Sequence, residues 1–433
     1  MPETSGPNSP VAAFTGGRRG WLWFVLLCAI LVALRGATLL YDHSLNSIDG
    51  AMQTWFALGN FADGAKLGEE FQSYLGITMI VSLLPGFVAF GQTLWASTFA
   101  AYAMVMIGSF AGAYAIVWML RPIPGRRRWL WAILLVFVFY YAASLATGLV
   151  GLRSPATFDP GVSLRPLRGA LPFFALPIFV WAIRRTLATE AVVPAIWLGL
   201  VAGLGLLWSN DAGTPLVIAG ALGLLAALWP RLWLAVKALV AFSFGVAVSA
   251  FALLMLVTHG DPSGWVQYNF TDVAGDQFWY FGPWDSETRV LSILDLPQIF
   301  LNGEFLTTLS LIVLTASVVI ACLKRVRGRG APVRGAAFIF VGTSVLGTSL
   351  IPQIGGHIGS EYNAITFVLG LCAPLILFQR PLLSLTKSLW RKMPATVAPI
   401  AAGIAATAMI GMDGASLATT ANETDRTVYA DQL

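Results

Sequence analysis

The chain has 433 residues, of which 57% are hydrophobic and 11% are charged, and its formal net charge is +5. Soluble domains carry roughly 25% charged residues, so this composition excludes a protein that is soluble throughout. Apolar stretches of about 20 residues recur along the chain, and each is long enough to cross a bilayer as a helix. The stretches are continuous rather than alternating, which favours helices over strands as the spanning elements. The predicted fold is therefore all-α, a polytopic transmembrane helix bundle.

The first apolar stretch follows a polar leader, residues 1–19, that ends in Arg18 and Arg19. This stretch is too long for a cleaved signal peptide, so we interpret it as a retained anchor. Clusters of basic residues in short loops predict cytoplasmic loops; they place the amino terminus in the cytoplasm and the carboxyl terminus outside the inner membrane. On this scheme only Glu3 and Glu190 among the acidic residues are cytoplasmic. Because the basic residues are spread over these loops, we expect contacts with membrane lipids and none with nucleic acid.

The scheme predicts about eleven crossings, because each apolar stretch is long enough to span the hydrocarbon. Residues 75–120 have room for two crossings, but the basic loop that follows them requires an odd number. Pro85 interrupts this stretch and predicts a re-entrant or half-depth helix. The alternative is two crossings there and an amino terminus outside. The bundle covers 20–412 and is followed by a polar outside tail at 413–433. The predicted crossings are 20–40, one within 75–120, 129–150, 170–183, 191–208, 214–230, 233–257, 304–323, 335–353, 363–379 and 395–412.

Four outside segments contain or adjoin nearly all the candidate site residues. In the first, Met52, Trp55 and Phe56 approximate one face of a short helix that starts at Asp49. This pattern predicts an interfacial helix that lies along the membrane. Asp49 at its start is either a catalytic carboxylate or metal ligand, or an acid that stabilises the helix dipole. The four segments are 41–74, 151–169, 258–303 and 352–362.

The second outside segment carries Arg153, Arg165 and Arg168. Arginine on the outer side of a membrane opposes the insertion rule, so these residues should have a specific role. The planar guanidinium matches phosphate oxygens, and the headgroup of a polyprenyl phosphate or diphosphate lies at this depth. We predict that they bind the phosphate of a lipid-linked donor. The alternative is that they reach general lipid phosphates or pair with loop carboxylates.

The remaining candidates are aromatic residues, acids and a histidine. Trp279 and Trp284 alternate with acids in the third segment, as in sugar-binding surfaces, although an interfacial aromatic belt has a similar composition. Asp211 lies in a polar turn between two apolar stretches, and His357 and Glu361 lie in a glycine-rich segment. Glycines permit the close approach of a ligand, and they equally permit a tight turn. We predict substrate binding by these residues, with a purely structural role as the alternative.

The order of these features resembles that of the GT-C class of polytopic glycosyltransferases. A first span is followed by an outside loop with an early acid, Asp49, and then by the sequence from Glu70 to Gly76, which leads into an apolar segment interrupted by Pro85. The run GLGLLWSNDAGTPLV is similar to the span of that class that ends in a short polar turn. The likeness lies mainly in the first third of the chain.

This resemblance implies an enzyme that moves a sugar from a polyprenyl-(di)phosphate donor to a glycan or lipid acceptor at the outer face of the cytoplasmic membrane. It implies that Asp49 is the general base or a metal ligand. We also predict that Glu70, in the same outside segment, binds substrate. Many members of the class have adjacent paired acids, whereas Asp49 lies between Ile48 and Gly50. No cofactor is therefore assigned, and a divalent cation is the alternative.

Three other functions fit the sequence. An O-antigen polymerase or ligase would depend on Arg165, Arg168 and His357 rather than on Asp49. A flippase or transporter of lipid-linked sugars would place ionisable groups within the spans, where Arg35 is the main candidate. A structural membrane subunit would have the same overall composition.

Overall fold

A computed structural model of the chain describes residues 18–41, 51–73, 75–120, 128–137, 164–273, 305–329, 331–354, 363–378 and 396–430. The chain divides into two compact units. The larger unit contains the described residues of Asp63–Ile80 and Arg168–Phe378. The smaller unit contains Thr15–Ala62, Val81–Leu167 and Gln379–Leu433.

Helices form nearly all of the regular structure in the described residues, and the extended parts contribute a single isolated bridge between Leu67 and Phe71. The predicted all-α fold is thus confirmed for this part of the chain. The helices are α1 (Arg18–Tyr41), α2 (Ala51–Ala62), α3 (Ile77–Ala89), α4 (Leu94–Met119), α5 (Arg128–Val136), α6 (Arg165–Thr189), α7 (Val193–Leu206), α8 (Asn210–Leu228), α9 (Leu232–Val257), α10 (Ser263–Gln267), α11 (Phe305–Val326), α12 (Pro332–Ile354), α13 (Asn363–Leu377) and α14 (Val397–Ala430).

Within the described residues, 8 helices are long and apolar enough to cross a membrane, and α3, α7 and α13 are shorter apolar helices. The chain is therefore a multi-pass membrane protein by the length and composition of its helices. The larger number of crossings stays a prediction. Helix α3 runs through Pro85 and ends at Ala89, since proline is tolerated inside membrane helices. Its 13 residues are too short to span about 30 Å of hydrocarbon, and its depth in the membrane also stays a prediction.

The larger unit is built from helices that alternate in direction. Helices α8 and α12 are antiparallel, since the glycine positions 223 and 347 meet Phe340 and Pro215 respectively. Helices α7 and α9 are parallel and approach so closely that a Cβ on Gly199 would lie 2.1 Å from the carbonyl oxygen of Phe242. Small residues at a spacing of four permit this contact between membrane helices. The Ser249 hydroxyl adds a hydrogen bond of 2.8 Å to the carbonyl of Leu200.

The smaller unit joins α1, α4, α5 and α14. The ring of Phe24 in α1 packs edge-on against Phe110 of α4 at 5.3 Å. Towards the other end of α1, the indole N–H of Trp95 donates to the carbonyl of Gly36 at 3.2 Å. Helices α1 and α4 are therefore antiparallel. The end of α1 lies beside the start of α4, and the number of crossings within 75–120 stays a prediction.

A buried ion pair joins α1 to α14 in the smaller unit. The Arg35 guanidinium lies 3.0 Å from the carboxylate of Asp413, whose side chain is 2% exposed. The sequence pattern ends the last crossing before Asp413, but the structure continues one helix through it to Ala430. Pairing makes this possible, because an ionised acid in an apolar interior is otherwise very costly.

We expect Gly199→Ala to destabilise the protein by about 1–3 kcal/mol, because the added methyl overpacks the contact between α7 and α9. Gly403→Ala in α14 is the matched control, since its Cβ would meet nothing within 4 Å. The midpoint of thermal unfolding in detergent, followed by size-exclusion chromatography, measures both. Equal midpoints for the two variants would contradict the close approach.

Asp413→Asn should destabilise the protein by about 1–3 kcal/mol, because it removes the buried carboxylate that pairs with the half-buried Arg35 guanidinium. The double variant Arg35→Met with Asp413→Leu removes both charges and should recover most of that loss. Denaturation by a graded detergent titration compares the three proteins. A single variant as stable as the wild type would show that the pair is not formed.

Candidate functional site

The charged residues of the larger unit gather at two opposite ends of its helices. We call the end where α6 and α8 begin and α7 and α9 end the acidic end. The opposite end, where α6 ends and α9 begins, is the basic end. The described charged residues at the acidic end are Asp63, Lys66, Glu69, Glu70, Arg168, Asp211, Asp261 and Asp272; those at the basic end are Arg184, Arg185, Glu190, Arg231, Lys237, Lys324, Arg325, Arg327, Arg329 and Arg334.

An ion pair between α6 and α8 forms the centre of the candidate site. One terminal nitrogen of the Arg168 guanidinium donates to Asp211 Oδ2 at 2.9 Å, and the two side chains are 13% and 12% exposed. Helix α6 reaches this position because Phe174 packs against Trp208 at 6.0 Å. Arg168, a predicted phosphate-binding residue, thus pairs with Asp211, a predicted substrate-binding residue. Pairing with a carboxylate is one of the alternatives that the sequence offers for this arginine.

Local sequence fixes Asp211 in the first turn of α8. Ser209 is extended, and its hydroxyl caps the helix by accepting from the N–H of Ala212 at 3.3 Å. Gly213 allows α8 to pass closely over α7, because a Cβ there would lie 2.5 Å from the carbonyl oxygen of Leu206. A carboxylate in the first helical turn is also favoured by the helix dipole. The backbone thus holds Asp211 on a rigid element.

A segment that we call the strap, described at residues 66–73 and 75–76, runs across the acidic end. Its apolar side chains Leu67, Phe71 and Leu75 are buried. A hydrogen bond of 3.1 Å from the N–H of Leu67 to the carbonyl of Val257 ties it to the end of α9. At its other end, a Cβ on Gly76 would lie 1.6 Å from the carbonyl oxygen of Trp208. The strap therefore reaches the turn that precedes Asp211.

Exposed charges cover the outer surface of the strap. The carboxylate of Glu70 accepts from the backbone N–H of Lys66, and the Lys66 ammonium pairs with Glu69. The hydrogen bond to Glu69 raises the pKa of Lys66. Beyond α9, the hydroxyl and backbone N–H of Ser263 bind Asp261 and lower the pKa of its carboxyl. Glu70 thus has a backbone partner in a turn, and it is open to solvent.

At the basic end, cationic side chains donate hydrogen bonds to carbonyls near the ends of helices. The Arg325 guanidinium donates to the carbonyl of Ala226 at 2.8 Å, near the last turn of α8. Lys324 donates to the carbonyl of Leu377 at 3.0 Å, at the end of α13. Cations next to these carbonyls complement the negative end of a helix. Arg231 pairs with Glu190 at 2.9 Å, and both are exposed.

Several predicted site residues lie outside the described part of the chain. Arg165 is the first residue of α6, and its side chain is not among those described. Helix α12 ends at Ile354 and α13 begins at Asn363, both at the acidic end, so two predicted outside segments, 258–303 and 352–362, attach there. The site residues outside the described ranges are Asp49, Arg153, Trp279, Trp284, His357 and Glu361.

Two elements of the site are absent from the sequence prediction. The sequence pattern does not predict the strap as a bridge between α9 and α8. It offers a loop carboxylate as one possible partner for Arg168 but does not identify that partner as Asp211. The regular spacing of Leu67, Phe71 and Leu75 is a signal for a buried face in the strap. The ion pair has no comparable signal, because its two residues lie on helices whose relative rotation the sequence pattern leaves open.

We expect Gly76→Ala to cost about 1–3 kcal/mol of stability, because the methyl displaces the strap from the Trp208 carbonyl. Gly59→Ala in α2 is the control, since its Cβ meets nothing within 4 Å. Limited proteolysis at the strap, compared with the thermal midpoint, reports the change locally. If Gly76→Ala leaves both unchanged, the strap does not contact the start of α8 in this way.

No family model, curated protein or solved structure matches this chain. Its function is therefore inferred from the residues and geometry of the acidic end.

Proposed function

We propose that this protein is a membrane glycosyltransferase that moves a sugar from a polyprenyl-(di)phosphate donor to a glycan or lipid acceptor at the outer face of the cytoplasmic membrane. The observation that carries the proposal is the buried Arg168–Asp211 pair at the acidic end of the larger unit. A guanidinium at the end of the apolar helices suits the phosphate of a lipid-linked donor.

The separation of charge supports the orientation in this proposal. Lysine and arginine cluster in cytoplasmic loops of membrane proteins. The described residues at the basic end include nine cations and one acid, Glu190. We infer that the basic end faces the cytoplasm and the acidic end faces outward. For the smaller unit, the leader with Arg18 and Arg19 is the reason to propose a cytoplasmic amino terminus.

The chemistry of the proposed transfer is a substitution at the anomeric carbon of the donor sugar. The bond from this carbon to the carrier phosphate oxygen breaks, and the oxygen leaves with the electron pair. The acceptor hydroxyl oxygen forms the new bond and gives its proton to a base, for which Asp49 is the candidate from the GT-C resemblance. Arg168 would stabilise the negative charge that grows on the departing phosphate.

The test is transfer by purified protein in liposomes that contain polyprenyl phosphates carrying a labelled sugar. We expect Asp49→Asn to lower turnover by about 10²–10⁴-fold, the usual contribution of a general base. Arg168→Gln should lower kcat/KM for the donor by about 10–100-fold, because a hydrogen bond to a charged group is lost. Glu190→Gln, at the basic end, should leave transfer unchanged. Chelation of divalent cations in the same assay decides metal dependence.

Failure of the wild-type protein to release sugar from any carrier in the presence of acceptor would overturn the proposal. If Asp49→Asn is fully active while Arg165, Arg168 and His357 are all required, the O-antigen polymerase or ligase class is favoured instead.

A second candidate is a flippase of lipid-linked sugars. The buried Arg35–Asp413 pair favours it, because ionisable groups between membrane helices often mark transport pathways. A flippase would move the labelled lipid across the bilayer without breaking its glycosidic bond. Asp413→Asn would then abolish transport, whereas Arg168→Gln would have little effect.

A further inference from the structure

We propose that Asp211 is a positioning residue, which holds Arg168 in place for the donor phosphate and does not itself bind sugar or remove a proton. This inference rests on the proposed function and assigns a role within the same site. It changes the sequence prediction, in which Asp211 is a substrate-binding residue in its own right.

The first argument is the orientation of the Asp211 carboxylate. Its Oδ2 accepts from the Arg168 guanidinium at 2.9 Å, and only 12% of the side chain is exposed. An acid that removes a proton or binds a sugar hydroxyl must reach the substrate directly. The Asp211 side chain instead reaches another protein side chain. The guanidinium has more N–H donors than one carboxylate engages, so it can bind a phosphate while Asp211 holds it.

The second argument is the freedom that Arg168 would have without its partner. Leu167, directly before it in α6, and Ala170, two residues after it, are buried; their burial anchors the backbone but does not by itself fix the long side chain. Near a membrane surface such a side chain turns towards the general lipid headgroups. Asp211 prevents this by fixing the guanidinium against α8. A fixed guanidinium loses little entropy when a phosphate binds.

The third argument is the rigidity of the support under Asp211. The Ser209 cap, the close passage over α7 at Gly213 and the contact of Gly76 with the Trp208 carbonyl all constrain the start of α8. Precise placement of a charge requires this kind of support, because a small displacement weakens the interaction with the reacting group. By its contact with the Trp208 carbonyl, the strap thus helps to fix the backbone turn that positions Asp211.

A double-mutant cycle tests the proposal in the liposome assay. Arg168→Gln and Asp211→Asn should each lower kcat/KM for the donor by about 10–100-fold. The double variant should be no worse than Arg168→Gln, because residues that act as one unit do not add. KM for the acceptor should stay unchanged in all three. Asp211→Glu, which keeps the charge, should recover most of the donor loss.

Two results would overturn the positioning role. One is a double variant whose loss is the product of the two single losses. The other is an Asp211→Asn protein whose main defect is a raised KM for the acceptor. Misfolding is separated by the thermal midpoint: Asp211→Asn leaves a buried charge unpaired, so it should be less stable than the double variant.

A binding experiment distinguishes the transferase proposal from the positioning role of Asp211. It measures the shift in the thermal midpoint of the detergent-purified protein when farnesyl diphosphate is added. If the wild type binds it with the same non-additive pattern but transfers no sugar, the transferase assignment fails and the positioning role stands. If sugar is transferred and the losses multiply, the transferase stands and the positioning role fails.

Discussion

The cost of placing charge in hydrocarbon is the constraint on which this architecture depends. In the larger unit it drives the described charges to the two ends of the helices, with cations at one end and most acids at the other. Charges inside the helix packing are paired or hydrogen-bonded: Arg168 pairs with Asp211, Asp413 pairs with Arg35, and Arg325 donates to the carbonyl of Ala226. The same cost makes these pairs specific, because a wrong helix rotation would leave both charges unmatched. Charge thus sets both the direction and the rotation of these helices.

Close backbone contact is the second organising feature, and it depends on glycine. Between membrane helices, apolar side chains gain little by leaving lipid, so dispersion contacts and hydrogen bonds hold the helices together. Gly199 brings α7 against α9, Gly213 folds α8 over α7, and Gly76 brings the strap against Trp208. The last two contacts converge on the turn before Asp211. Packing at the acidic end therefore determines where the proposed phosphate-binding charge lies.

The sequence predicts the helical class, the segments that become helices and the alternation of charge, because these follow from hydropathy and loop composition. It predicts a short helix that starts at Asp49 from the spacing of Met52, Trp55 and Phe56, and the structure has α2 over Ala51–Ala62. Its placement along the membrane stays a prediction. Contacts between distant segments do not follow from local pattern. From the sequence alone, Asp413 indicates the end of an apolar helix. The helix continues through this residue because Asp413 pairs with Arg35, a contact that the local pattern does not reveal.

The length of α14 has a consequence for the protein's relation to its membrane. Its 34 residues extend for about 51 Å, which exceeds the roughly 30 Å of hydrocarbon. Tilt accommodates part of such an excess, and the rest must emerge into water. Because Asp413 is tied to Arg35, the helix cannot slide along its own axis to share that excess between the two surfaces. The part of α14 that emerges from the membrane is therefore a rigid helix, and the length that emerges would depend on the thickness of the bilayer.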